Sequence, residues 1–91
     1  MEVKVLRFYP FPLRVKNATV LGYADVSLDD KLEIRGIKLL KKDNGGVFIT
    51  PPSVQTKEGD FIEVVKFLDR EVREEIRKAL KEYYAKHFGE I

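Results

Sequence analysis

The 91 residues contain no cysteine and no tryptophan, one methionine, one histidine and two serines. Without cysteine there are no disulfides, no thiolate metal sites and no thiol nucleophile. The single histidine, His87, falls near the end of a helical segment and reads as a packing or dipole-complementing residue rather than a general base. Neither Ser27 nor Ser53 has a His–acid pair placed to activate it, and Gly-x-Ser-x-Gly is absent. Gly45-Gly46 lacks the lysine and following helix of a phosphate-binding loop. These gaps point to a non-enzymatic protein with no cofactor, no metal and no small-molecule substrate. Long apolar runs are missing too, so no segment is long enough to cross a bilayer. Met1-Glu2-Val3-Lys4 does not open a signal peptide. The expected setting is cytoplasmic, with no membrane partner.

What is present is a hydrophobic content of 44%, enough for a real core and against disorder. A chain of this size reads as one domain, residues 1–91, with strands within 2–67 and a helix over about 69–88. Seventeen basic and fifteen acidic residues give a net charge of +2, too balanced to imply a nucleic-acid partner by itself. High charge with few Asn, Gln and Met residues fits a thermophilic source.

The stretch from Gly45 to Phe61 organises the chain. A glycine turn leads into strand residues Val47 to Thr50, and Pro51-Pro52 stops that strand because neither ring can donate to a ladder. Ser53 to Lys57 reads as a polar loop, with Ser53 or Thr56 bonded to nearby backbone. Glu58-Gly59-Asp60 then turns the chain into a further strand, Phe61 to Phe67.

Earlier in the chain, Val3 to Phe8 is extended, and the slip in parity between Val5 and Leu6 predicts a bulge. Tyr9 to Asn17, with Pro10 and Pro12, reads as a loop whose aromatics anchor it rather than stack on bases. From Asn17 to Leu28 the alternation is clean, placing Ala18, Val20, Gly22, Ala24, Val26 and Leu28 on one face. Asp29-Asp30 is turn chemistry rather than part of a metal site with Asp25. Leu32 to Leu40 forms the next strand, with a bulge at Gly36 where the parity changes.

The last segment is helical. Asp69 is a good N-cap, Glu71, Glu74 and Glu75 sit near the positive end of the dipole, and Lys86, His87 and Gly89 suit the other end. Helical spacing puts Val72, Ile76, Ala79, Leu80, Tyr83 and His87 toward the sheet. Beside them runs a basic stripe, Arg70, Arg73, Arg77 and Lys81. It has two readings: surface pairs with Asp69, Glu74 and Glu82, or a cationic track for phosphates extended by Lys41, Lys42 or Lys57.

Residues Leu32 to Tyr84 resemble the SpoVG family of septation proteins, also called stage V sporulation protein G. The resemblance is carried by Gly45-Gly46-Val47-Phe48-Ile49, then Pro52-Ser53-x-x-Thr56-x-x-Gly59-Asp60-Phe61, a strand, and a helix opening Val72-Arg73-Glu74-Glu75-Ile76. Val54 and Gln55 stand where the family commonly carries basic residues. The resemblance implies a small α+β domain, a homodimer, and DNA or RNA binding by a regulator of gene expression, septation and sporulation. The strand-to-helix junction that it connects with recognition falls on Lys66 to Arg73.

The expected architecture is α+β: an antiparallel sheet of about five strands with the long C-terminal helix packed on it. Candidate nucleic-acid contacts are Lys57, Lys66, Arg70, Arg73, Arg77 and Lys81. The alternative is a protein-interaction module using an edge strand and the proline loop. Leu6, Phe8, Leu21, Tyr23, Ile37 and Leu39 exceed what one helix covers, and the excess implies a subunit interface.

Overall fold

Three tight turns fold the first fifty residues into a meander. The computed structural model describes residues 1–91. Strands β1 (Val3–Val15), β2 (Ala18–Leu28), β3 (Leu32–Lys42) and β4 (Val47–Thr50) form one antiparallel sheet in that order. The β2–β3 turn holds Asp29 and Asp30 at φ 54° and 55°, and the β3–β4 turn uses Gly45 and Gly46 at φ 93° and 77°. Short polar side chains and glycine tolerate that left-handed backbone.

Two bulges lie where the parity slips. Val5 faces Val26 and Arg7 faces Asp25, which leaves Leu6 without a partner. Ile37 faces Ala24 and Ile34 faces Val26, so Arg35 and Gly36 oppose Asp25 alone, with Gly36 at φ 84°. That bulge returns Ile34 and Ile37 to the same face.

A third bulge breaks the alternation expected of β2. Val20 faces Leu40 and Gly22 faces Leu39, so Leu21 is the extra residue and the strand changes sides there. Ala18 and Val20 consequently pack with Leu40 and Phe48 on one face, while Ala24 and Val26 join the main core on the other.

Tyr9 to Val15 is strand, not loop: β1 continues to Val15 in register with β2. The prolines are tolerated because β1 is an edge strand, and the register shift between Pro10 and Leu13 absorbs Phe11 and Pro12. The segment after β4 also departs from expectation. Ser53–Gln55 is a strand, β5, paired with β6 (Phe61–Glu63) in a separate two-stranded sheet. The main sheet therefore has four strands rather than five, and the Phe61–Phe67 strand ends at Glu63. Pro51-Pro52 diverts the chain out of the main sheet, since a proline cannot extend its ladder. Within the hairpin turn, Thr56 Oγ1 accepts from the Asp60 amide at 3.1 Å, while Ser53 stands exposed.

Helix α1 (Arg70–Phe88) starts where the capping pattern places it, with Asp69 Oδ1 accepting from the Glu71 amide at 2.7 Å. Ile76 and Leu80 are fully buried against Ala24, Val26, Ile34, Ile37, Leu39, Val47 and Ile49. His87, placed on the sheet side by its spacing, is exposed and lies against the Tyr83 ring at 4.2 Å. The last turns pack instead through Tyr84 and Phe88 onto Phe8 of β1, with ring centroids 5.8 and 5.4 Å apart.

Ile37 and Leu39 are completely buried in this core, and Phe8 and Leu21 pack against it. They are therefore not surplus apolar surface awaiting a partner. Of the six, Leu6 does stay exposed, and further large apolar residues left open include Val54, Phe61, Ile62, Val64 and Leu68 along β5, β6 and the segment that follows.

Candidate nucleic-acid interface

The helix positions its basic stripe beside the core face, and the stripe divides in two. Arg73 reaches back to β4, where Nη1 donates to the Ile49 carbonyl at 3.0 Å and the guanidinium lies 5.5 Å from the Phe67 ring centre. Arg77 grips Glu74 with two hydrogen bonds, at 2.9 and 2.6 Å. That charge-assisted pair raises the Arg77 guanidinium above its usual range and lowers the Glu74 carboxyl below 4.5. Arg73 makes no ion pair with Asp69, and Lys81 makes none with Glu82, so only one of the expected surface pairs forms.

Arg70 and Lys81 are exposed and have no carboxylate partner. Eleven residues apart, they lie nearly in line along the helix, about 16 Å from one to the other. Lys66, in the segment leading to Asp69, is likewise exposed, and Lys57 stands in the turn of the β5–β6 hairpin, off the helix. Four of the six candidate cations are thus free to meet an anion, and two are held by the fold.

The sheet face opposite the helix was not singled out by sequence reasoning. Its centre pairs Tyr9 with Tyr23 and Tyr23 with Lys38 across three strands. Toward β2's start lie Leu13, Val20, Leu40 and Phe48, cross-strand neighbours in that order. The shared parity of Lys38, Leu40 and Lys42 was the available signal, but the Leu21 bulge hid which β2 residues lie beside them.

The same face carries one ion-pair group, and a second lies near the β1–β2 turn. Asp25, buried, accepts from Arg7 Nε at 2.8 Å and from the Gly36 amide at 3.0 Å, while Glu33 binds Arg7 and Arg35. These bonds raise both arginines. At the far end Arg14 pairs with Asp43, which lowers the Asp43 carboxyl and raises Arg14. No group of three or more His, Cys, Asp or Glu side chains gathers to hold a metal ion. No helix is long and apolar enough to cross a membrane.

A SpoVG family model matches residues 1–86. The chain belongs to the SpoVG family. Relatives bearing the septation-protein name SpoVG include one from Archaeoglobus fulgidus, 32% identical over 75% of this chain and 79% of its own length. One from Fusobacterium nucleatum is 37% identical over 69% of this chain and 67% of its own. Another, from an Anaeromyxobacter species, is 29% identical over 92% of this chain and 81% of its own. The matched span includes all four strands of the main sheet, the β5–β6 hairpin and nearly all of α1.

Proposed function

We propose that this SpoVG-family protein is a non-enzymatic, cytoplasmic regulator that binds DNA or RNA as a homodimer. The observation that carries the reading is the set Lys66, Arg70 and Lys81, exposed cations without carboxylate partners on and before one helix, with Lys57 on the neighbouring hairpin. Charges left uncommitted in this way are available to phosphates, whose binding releases counterions. Arg73, bonded to a neutral carbonyl, flanks the track and adds to its positive field while serving the fold, whereas the charge of Arg77 is taken up by Glu74. The relatives' names tie the regulatory role to septation, and the family's other name ties it to sporulation.

A protein contact is favoured by a separate observation. Val54, Phe61, Ile62, Val64 and Leu68 are all more than half exposed, an apolar strip along the β5–β6 hairpin and the segment that follows it. We assign this strip to the second copy of the chain. Fluorescence anisotropy with a labelled duplex tests the nucleic-acid reading. If Lys66, Arg70 and Lys81 each neutralise one phosphate, log K falls against log salt with a slope of about −2.7 per protomer. No binding at low salt, or binding indifferent to salt, overturns it in favour of the protein-interaction module.

A further inference from the structure

The face of the main sheet turned away from α1 exposes aromatic rings beside cations with no acidic partner. Phe11 lies on Tyr23 with ring centres 5.9 Å apart and planes 30° from parallel. Lys38 Nζ is 5.9 Å from the centre of the Tyr23 ring, and Lys42 Nζ is 5.7 Å from that of Phe48. Tyr9 and Phe11 are 52% and 50% exposed, so these rings are not spent on the core. A recess of about 610 Å³ opens next to Phe48, lined by Val15, Lys16, Ala18, Leu40 and Lys42 among others.

Charge distinguishes this end of the face from the other. At the other end Arg7 and Arg35 are neutralised by Asp25 and Glu33, while beside the recess Asp43, which also lines it, is taken up by Arg14. Lys16, Lys38 and Lys42 have no such partner, so the positive surplus falls where the aromatic rings are. Every nucleobase has a π face to stack on a ring, and each nucleotide brings a phosphate for a nearby ammonium group.

We infer that this face is a platform for single-stranded nucleic acid. Bases stack on Phe11 and Phe48, while Lys38, Lys42 and Lys16 meet the phosphates. The inference rests on the nucleic-acid reading above and adds to it a second surface, behind the sheet from the helix. Tyr23 and Phe48 lie two strands and two residues apart, about 12 Å from the strand spacing and rise. That span exceeds the roughly 3.4 Å step of a stacked strand. The platform therefore suits splayed bases, and a duplex, whose base faces are covered, cannot use it.

The test uses labelled oligothymidylate and a labelled duplex, read by anisotropy on the full chain. Phe11→Ala and Lys38→Gln, with thermal melts confirming the fold, each weaken oligothymidylate binding, about tenfold for the lost ring. Both leave duplex binding unchanged. Because the chain has no tryptophan, Phe11→Trp supplies a sole indole whose emission is quenched as unlabelled oligothymidylate binds. The inference is overturned if both variants bind oligothymidylate like wild type, or if bound strand leaves the indole unquenched. It is overturned equally if Phe11→Ala changes the oligomeric mass but not the binding, which makes the face a contact between copies. Loss of single-strand binding in Arg70→Ala and Lys81→Ala alone would sink this platform while leaving the nucleic-acid reading intact. Absence of any binding by wild type would sink both.

Discussion

Gly22 is the glycine with the least room for a side chain, and Gly22→Ala tests the packing of β1 against β2 and the helix. A Cβ there would stand 2.5 Å from the Tyr9 carbonyl oxygen and 2.7 Å from two carbons of the Phe8 ring, distances that real contacts essentially never reach. The backbone oxygen cannot yield without shifting β1. The ring cannot easily yield either, because Tyr83, Tyr84 and Phe88 surround it at 6.1, 5.8 and 5.4 Å between centroids. Overpacking costs about 1–3 kcal/mol, and the backbone clash places this substitution near the top, about 3 kcal/mol. For a chain of this size that lowers the melting temperature by about 12–24 °C. Circular dichroism melts and urea titration measure it. Phe8→Leu, made alone and with Gly22→Ala, separates the ring's share. The two changes should couple by about 1 kcal/mol or more, with the Tyr9 clash remaining. A melting temperature within about 3 °C of wild type, or strict additivity of the two substitutions, would refute the reasoning.

Asp25→Ala strands the Gly36 amide in its bulge and releases Arg7. A loss of about 2 kcal/mol is expected in urea titration, with Asp25→Asn recovering part because its amide oxygen can still accept from Gly36. Glu74 supplies a pH dependence. Its carboxyl is held below 4.5 by Arg77, so its contribution is full above the unfolded value and is lost as pH falls through the lower folded value. Glu74→Gln should thus show a flatter urea midpoint than wild type below pH 4.5 and a parallel profile above it, whereas equal acid sensitivity would count against the pair. Phe61, 71% exposed on the hairpin, should cost the protomer little when replaced. Light scattering is expected to show a dimer for wild type and a monomer for Phe61→Asp; a wild-type monomer would remove the hairpin's proposed role.

The elements with local signals could be read directly from the chain. Asp69, the acidic first turn and Gly89 bracket α1, and Gly36 marks its bulge, because caps and positive φ depend on one or two residues. The extent of β1 was hidden since Pro10 and Pro12 forbid a central strand, and only the tertiary position at the edge admits them. The Leu21 bulge has no glycine to announce it, and it decides which face Val20 and Tyr23 occupy. In the β5–β6 hairpin only the second strand is legible: Ser53 to Lys57 reads as a polar loop because β5 is three residues long and buries nothing within the protomer, while Phe61 to Phe67 reads as a strand longer than β6 proves to be. At the candidate interface, helical spacing sets Arg70, Arg73, Arg77 and Lys81 along one side of α1. It could not show that Arg73 turns to Ile49, a residue 24 positions away that only the packing of α1 on β4 brings near.

The central claim is that exposed, uncommitted cations beside the helix bind phosphates. Its most direct test is the salt dependence of duplex binding by Arg70→Ala and Lys81→Ala, with Glu71→Ala and Glu82→Ala as controls on the far side of the helix. Each cation variant should weaken binding about equally on unrelated sequences and reduce the magnitude of the salt slope by about 0.9, the loss of one phosphate contact. The glutamate variants should bind as wild type or slightly more tightly, with the slope unchanged. Cation variants with the wild-type slope and affinity would contradict the account, leaving the stripe as a solvated face.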